Sequence, residues 1–304
     1  MLDQPKPPER ETGAQHHHHH HVVGIDALLP DEIASKVQHG GAEKARMAVT
    51  PLLTLAVLAG AFIGFGALFA MGVTVGTDAA GVPAGFSALV GGVAFSLALV
   101  LVIIGGAELF TSNNLMVIAL VSGRIRSWEL VRAWLVIYIG NLLGAIATAA
   151  ISVAAAISRA HDSAIGAKAT AVAARMAELD GTETFFAGML GNVLVCLAVW
   201  ISYSGRTTTD RILAVTFPIT AFYALGLEHV IATMFYFPLA YFHALAEGAT
   251  AGPLAFTGTG ADVLDLPDFL AHLGAVTAGN VVGGGVLVGT VYWFIYLRRN
   301  GLRH

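Results

Sequence analysis

The stretch Gly105-Gly106-Ala107-Glu108-Leu109-Phe110-Thr111-Ser112-Asn113-Asn114-Leu115-Met116 decides how this chain folds. It lies inside the run Val82 to Gly123, where Glu108 is the only charged residue. That run is about twice the ~20 apolar residues a membrane crossing needs. One straight helix is therefore not expected. A glycine pair, a glutamate and the polar residues Thr111 to Asn114 interrupt apolar sequence at membrane depth, where irregular backbone survives only if protein buries it or water reaches it. The segment Ile212 to Phe242 has the same design: Gly226-Leu227-Glu228-His229 stands between Pro218 and Pro238.

Composition agrees with a membrane solvent. Of 304 residues 56% are hydrophobic and 12% charged, about half the ~25% charged content of soluble domains. Stretches free of Asp, Glu, Lys and Arg run Pro51 to Val75, Val82 to Ala107, Ala133 to Ser158, Thr184 to Gly205 and Leu273 to Leu297, and Ile212 to Phe242 supplies a sixth crossing. The fold expected is an all-α integral membrane protein of six transmembrane helices, two of them broken.

Six crossings put both termini on one side. With the N-terminus inside, inner segments hold Lys36, Lys44, Arg46, Arg124, Arg126, Arg132, Arg206, Arg211, Arg298, Arg299 and Arg303, whereas outer loops hold only Arg159, Lys168 and Arg175. Cytoplasmic loops are enriched in basic residues, so both termini are expected in the cytoplasm. The loop His243 to Phe269 has no basic residue and carries Glu247, Asp262, Asp265 and Asp268.

The division expected is residues 1–24 as purification tag and linker around His16 to His21, 25–48 as a cytoplasmic amphipathic helix, and 49–304 as the transmembrane pore domain. The helix at 25–48, with Ile33, Ala34 and Val37 against Asp31, Glu32 and Lys36, suits the membrane surface or packing on the protein. Scattered basic residues and a net charge of -4 leave no footprint for nucleic acid. A lone cysteine, Cys196, excludes disulfide frameworks and cysteine-rich metal sites. No cofactor or metal is expected.

The pore domain reads as a duplication. Each three-span half, about 49–158 and 184–298, has a broken helix in its middle, and Gly140-Asn141-Leu142-Leu143-Gly144 matches Gly279-Asn280-Val281-Val282-Gly283. An odd number of spans per half forces opposite orientations, and paired broken helices of inverted repeats mark a substrate path where the breaks meet. Glycines at this spacing also serve close helix packing. That packing does not explain the asparagines, whose amides need partners in apolar surroundings.

Ionisable residues within spans are costly and usually functional; here they are Glu108, Glu228 and His229. The glutamates are read first as structural, each accepting backbone N–H groups freed by its helix break, and otherwise as pore-lining groups beside the substrate. His229 is either a packed core residue or, with Thr111 at the other break, part of the path. Histidine changes charge near physiological pH.

GGAELFTSNNLM around Thr111, GNVLVCLAVWISYSGR from Gly191 to Arg206, LEHVIATMFYFP around His229 and GNVVGG from Gly279 resemble, in order, the signature segments of the formate/nitrite transporter family. The resemblance covers most of Val49 to Leu297. It implies an aquaporin-like protomer with inverted repeats, a homopentamer with one pore per protomer, the bacterial cytoplasmic (inner) membrane, and small monovalent anions such as formate, nitrite or hydrosulfide. By position, Thr111 and His229 resemble the family's central polar pair. Phe95, Leu99 and Phe222 resemble its apolar constrictions, with Leu109, Phe110 and Val195 nearby, and Asn192 and Asn280 resemble asparagines that line or brace the pore. The family's anion-attracting lysine ahead of the fourth span has two counterparts in its region, Lys168 and Arg175.

The function expected is a passive or proton-coupled pore for a weak-acid anion, formate first. Taking a bare carboxylate into low dielectric costs on the order of 20 kcal/mol. Protonating an acid of pKa about 3.5 at pH 7 costs only about 5 kcal/mol, so crossing as the neutral acid wins. His229 either gives a full proton or only a hydrogen bond. A water or glycerol channel is disfavoured because Thr111-Ser112-Asn113 stands where an Asn-Pro-Ala element belongs. A membrane enzyme or haem subunit is disfavoured because His39, His161, His243, His272 and His304 fall in loops or near span ends.

Overall fold

The computed structural model describes residues 27–77, 79–248 and 266–298. The tag reading at His16 to His21, Asp262 and Asp265 of the acidic loop, and Arg299 and Arg303 lie outside them. In chain order the helices are α1 (Pro30–Arg46), α2 (Val49–Thr74), α3 (Ala84–Phe95), α4 (Leu97–Gly105), α5 (Val117–Val121), α6 (Ser127–Ala154), α7 (Ala164–Glu178), α8 (Gly181–Ser202), α9 (Thr208–Ala224), α10 (Val230–Ala246), α11 (Leu266–Val281) and α12 (Val291–Tyr296). A 3₁₀ turn over Ser112–Met116 leads into α5, and a π-helical stretch over Val282–Thr290 joins α11 to α12.

Five helical rods are long and apolar enough to cross a membrane: Val49–Thr74, Ala84–Gly105, Ser127–Ala154, Gly181–Ser202 and Phe269–Tyr296. The sixth crossing is shared by α9 and α10. Neither reaches 18 residues, and α10 has no need to, since Ile231, Met234, Phe235, Phe237 and Leu239 are all fully buried in protein. Outward faces stay apolar instead: Val131, Leu135, Ile139 and Leu143 of α6 recur every four residues and are about half exposed, a stripe suited to an apolar surrounding.

Helix ends depart from the charge-free stretches in an instructive way. The third span starts at Ser127, six residues before Ala133, because Glu129 in its first turn accepts the Arg126 N–H at 2.7 Å. The fourth starts at Gly181, where Asp180 accepts the N–H groups of Thr182 and Glu183 at 2.7 and 2.8 Å. Carboxylates at a helix N-terminus are stabilising, so helices run past the apolar slab into charged sequence. Helix α7 fills most of what the sequence reading left as a loop; Ile165, Ala169, Ala173 and Met176 form its buried stripe, a helical period visible in the sequence.

Helix α1 is shorter than the expected 25–48. Of its two readings, the apolar face meets protein: Ile33, Ala34, Val37 and Ala45 are buried among α5, α6, α12 and the turn at Ser112–Met116.

Two pairs of rods approach closely. A Cβ at Gly144 of α6 would collide with the Val57 carbonyl of α2, and one at Gly283 with the Met189 carbonyl of α8. The G-N-x-x-G elements thus serve packing. Their asparagines do something else.

Candidate functional site

Both breaks are built alike. Helix α4 ends on Gly106 at φ +76° and α9 is followed by Gly226 at φ +63°, a left-handed conformation that glycine adopts without steric cost. The next N–H in each case reaches back to the last turn: Ala107 N to Val102 O at 3.0 Å and Leu227 N to Phe222 O at 3.3 Å. The backbone beyond is then held by one asparagine per break. The Asn141 amide donates to Ala56 O and Glu108 O at 2.8 and 2.9 Å, and its oxygen accepts the Phe110 N–H at 2.8 Å. Asn280 repeats this in the other half, donating to Gly188 O and Glu228 O at 2.8 and 3.3 Å and accepting the Val230 N–H at 3.0 Å. Asn192 ties the halves together through Thr111 O, Asn114 Oδ1 and Asn280 O at 3.2, 2.8 and 2.6 Å.

These braces correct the expected role of the glutamates, whose carboxylates take no freed backbone N–H among the described residues. Glu108 instead accepts from Asn113 Nδ2 and pairs with Lys44 Nζ, both at 2.8 Å. The asparagine amide, donor and acceptor at once, suits a break that leaves both kinds of backbone group unmet. Sequence reasoning missed Asn141 as a brace, together with Asn113, Asn114 and Lys44. The asparagine doublet inside an apolar run was the available signal.

Where the breaks meet, Thr111 Oγ1 and His229 Nε2 lie 2.8 Å apart, buried and 118 residues apart in sequence. His229 is also the N-cap of α10, its Nδ1 accepting the Ala232 N–H at 3.2 Å. An accepting Nδ1 carries no proton, so the ring hydrogen is assigned to Nε2 and points at Thr111. Protonating Nδ1 to make imidazolium sets two donors face to face. The geometry therefore holds His229 as a neutral Nε2–H donor.

An apolar cavity of only ≈ 10 Å³ adjoins this pair, lined by Ile63, Phe95, Ala98, Leu99, Leu109, Val195, Ile219, Phe222 and His229. That is about the smallest space that holds one water. The Phe95 and Phe222 rings stack with centroids 6.1 Å apart, and Phe222 meets His229 edge-on. Phe110 departs from expectation: its ring packs edge-on against Trp134 and Tyr138 of α6 at 5.9 and 5.1 Å, outside the cavity, because Asn141 fixes its backbone.

On the α1 side a cavity of ≈ 330 Å³ is lined by Lys36, Lys44, Glu108, Ser112, Tyr203 and Arg211, among others. Burial is the largest influence on the Lys44 ammonium and works against it, but the Glu108 carboxylate, by charge and hydrogen bond, and Tyr203 together outweigh it and raise the lysine pKa above its ordinary value, so the ammonium stays charged. On the α7 side, the two basic residues differ. Lys168 Nζ donates to Thr74 O at 2.8 Å and ties α7 to α2. The exposed Arg175 lies against Gly226 at the second break. Glu228 is fully buried.

The chain was compared with known proteins. The family model "Formate/nitrite transporter" matches residues 31–294. The chain is 36% identical over 286 residues to the formate channel FocA of Escherichia coli (strain K12), covering 91% of this chain and 97% of that one. Among solved structures it resembles a pentameric formate channel with formate bound (37% identity, TM-score 0.71, 82% of this chain and 98% of that one). It also resembles an FNT family ion channel (30% identity, TM-score 0.73, 87% and 98%). These relatives are channels and transporters, which removes the membrane-enzyme and haem-subunit readings. A helix break held by an asparagine in each half, a buried Thr-His pair between the breaks, and a family match spanning nearly the whole membrane region lead to one conclusion: the chain belongs to the formate/nitrite transporter family.

Proposed function

We propose that the protein is a pore for small monovalent weak-acid anions, formate first, and that it works as a homopentamer in the bacterial inner membrane with both termini in the cytoplasm. The observation carrying this is the 2.8 Å Thr111–His229 contact against a dry collar of Phe95, Leu99, Leu109, Val195 and Phe222. The similarity to a pentameric formate channel supports the ligand and the assembly. The matching braces of Asn141 and Asn280 support reading the halves as inverted repeats.

In this account the anion enters a vestibule and one of its oxygens accepts the Nε2–H of His229 while Thr111 Oγ1 holds the same end. Of the two roles open to His229, the cap on Ala232 favours donating a hydrogen bond over giving up a proton. The proton that neutralises formate comes from the vestibule solution, as hydronium or from a water whose hydroxide stays on the entry side, and the neutral acid then passes the collar, avoiding the desolvation cost of the bare ion. Glu108 and Lys44 shape the α1-side mouth, and Asn192 and Asn280 hold the pair from behind.

Parallel uptake of formate, nitrite, hydrosulfide and lactate into proteoliposomes tests the reading. Formate is expected to enter fastest and lactate slowest. A preference for nitrite or hydrosulfide transfers the assignment to that anion, and no uptake above empty liposomes rejects it.

Two further results are expected. Leu99→Ala and Phe222→Ala widen the collar, so lactate entry rises several-fold relative to formate; unchanged selectivity in both removes these residues from the path. Arg175→Gln weakens apparent affinity at low ionic strength, where charge steers anions over a Debye length of about 30 Å at 0.01 M. At about 1 M salt, with a length near 3 Å, the variant and the parent protein converge. An equal deficit at both salt levels points to direct contact instead.

A further inference from the structure

Where the elbow between α1 and α2 meets the turn leading into α6, three arginines share one exposed corner. Arg46 Nη2 donates to the Arg124 carbonyl at 2.7 Å, and Arg46 Nε lies 3.7 Å from Glu129 Oε1. The other oxygen of that carboxylate accepts the Arg126 N–H at 2.7 Å. Glu129 is thus an inner anchor, its side chain only 16% exposed against 62% for Arg46. Arg124 and Arg126 are exposed as well. Among the described residues, neither of their guanidinium groups meets a carboxylate or a hydrogen-bond acceptor.

Helix α6 continues this corner as an apolar surface. Trp128, Val131, Leu135, Ile139 and Leu143 are each at least half exposed, and their spacing of three or four residues puts them on one face of the rod. At 1.5 Å per residue, Val131 to Leu143 spans about 18 Å, slightly more than one leaflet of a ~30 Å hydrocarbon slab. Trp128 stands between the arginines and the stripe, as tryptophan does at a membrane–water interface. Guanidinium forks match phosphate oxygens two at a time. Three arginines against one glutamate leave the corner positive, so it favours a headgroup that brings no cation of its own.

We propose that this corner binds a phospholipid of net negative headgroup. Its phosphodiester sits in the forks of Arg124 and Arg126 with Arg46 beside them, and one acyl chain lies along α6 from Val131 toward Leu143. The lipid joins elements that otherwise meet through Arg46 and through Arg132, whose guanidinium donates to the Met47 carbonyl at 3.1 and 3.2 Å. None of these residues lines the cavity beside Thr111 and His229, so the site stands apart from the anion path. A second copy of the chain could cover the stripe, but it would have to bring carboxylates to all three arginines. A single phosphate meets them at once.

The test places the whole protein in phosphatidylcholine vesicles in which a small fraction of the lipid carries brominated chains, which quench tryptophan on contact. With bromine on phosphatidylglycerol, tryptophan emission is expected to be quenched several-fold more than with the same fraction of brominated phosphatidylcholine. Trp128→Phe is expected to remove that difference, which assigns it among the four tryptophans. Each basic residue at an anionic surface is worth about fivefold in affinity, so Arg124→Gln combined with Arg126→Gln is expected to weaken the preference roughly 30-fold. Equal quenching of the parent protein by the two brominated lipids overturns the proposal, and that comparison needs no variant. So does an undiminished preference in the double variant. A Trp128 shielded from both lipids gives the face to a second copy and overturns it likewise.

Discussion

Replacing His229 by asparagine is expected to lower formate flux about 10- to 100-fold without loss of fold or assembly. The separation works because His229 does two jobs with two nitrogens. Nδ1 caps α10 through the Ala232 N–H, and asparagine is among the best N-cap residues. Nε2–H is the donor aimed at Thr111, and asparagine is too short to put a donor there. A hydrogen bond to a charged group is worth about 1.5–3 kcal/mol, which converts to roughly 10- to 150-fold. Thr111→Val gives a milder loss, since it removes one polar contact and keeps the histidine. Size-exclusion elution and formate uptake on the same preparation check both. A His229→Asn protein with parental flux reduces His229 to a helix cap.

Asn280→Leu is expected to do the opposite and abolish the folded assembly. The side chain is fully buried and satisfies Gly188 O, Glu228 O and the Val230 N–H. Leucine fills similar space and meets none of them. At about 1–3 kcal/mol per unmet buried group, the loss is on the order of 5 kcal/mol, comparable with the ~5–15 kcal/mol that holds a domain together. Asn141→Leu should behave likewise through Ala56 O, Glu108 O and Phe110 N–H. Thermal unfolding of detergent-solubilised protein reads the effect. A melting point within a few degrees of the parent protein contradicts the bracing role.

Much of this architecture was legible because the membrane imposes long-range rules on local sequence. Apolar length marked the spans, and polar residues in the middle of an apolar run marked both breaks. What those polar residues bond to was not legible, because the partners lie on other rods. Glu108 looked like a receiver of freed N–H groups, yet a lysine from α1 takes its charge and asparagines from α6 and α11 serve the backbone. Phe110 sits in sequence between two site residues, Leu109 and Thr111, and still faces away, since a backbone turn held by Asn141 decides its direction. Lys168 and Arg175 are both basic and on one helix, but the Thr74 carbonyl at the end of α2, which also accepts from Thr77 Oγ1, captures only the first. His272 resembled a span-end histidine because nothing local reveals that Glu228 faces it. The tautomer of His229 likewise depends on a backbone N–H three residues on, which exists as a donor only once α10 forms.

The central claim is that the anion is carried across the collar as the neutral acid while His229 donates without ionising. Its most direct test records formate entry and internal pH together in proteoliposomes, with the membrane potential clamped at several values. The account predicts one proton entering with each formate and a flux indifferent to voltage. Formate uptake that scales with the membrane potential and leaves internal pH unchanged contradicts it, because the ion is then crossing with its charge.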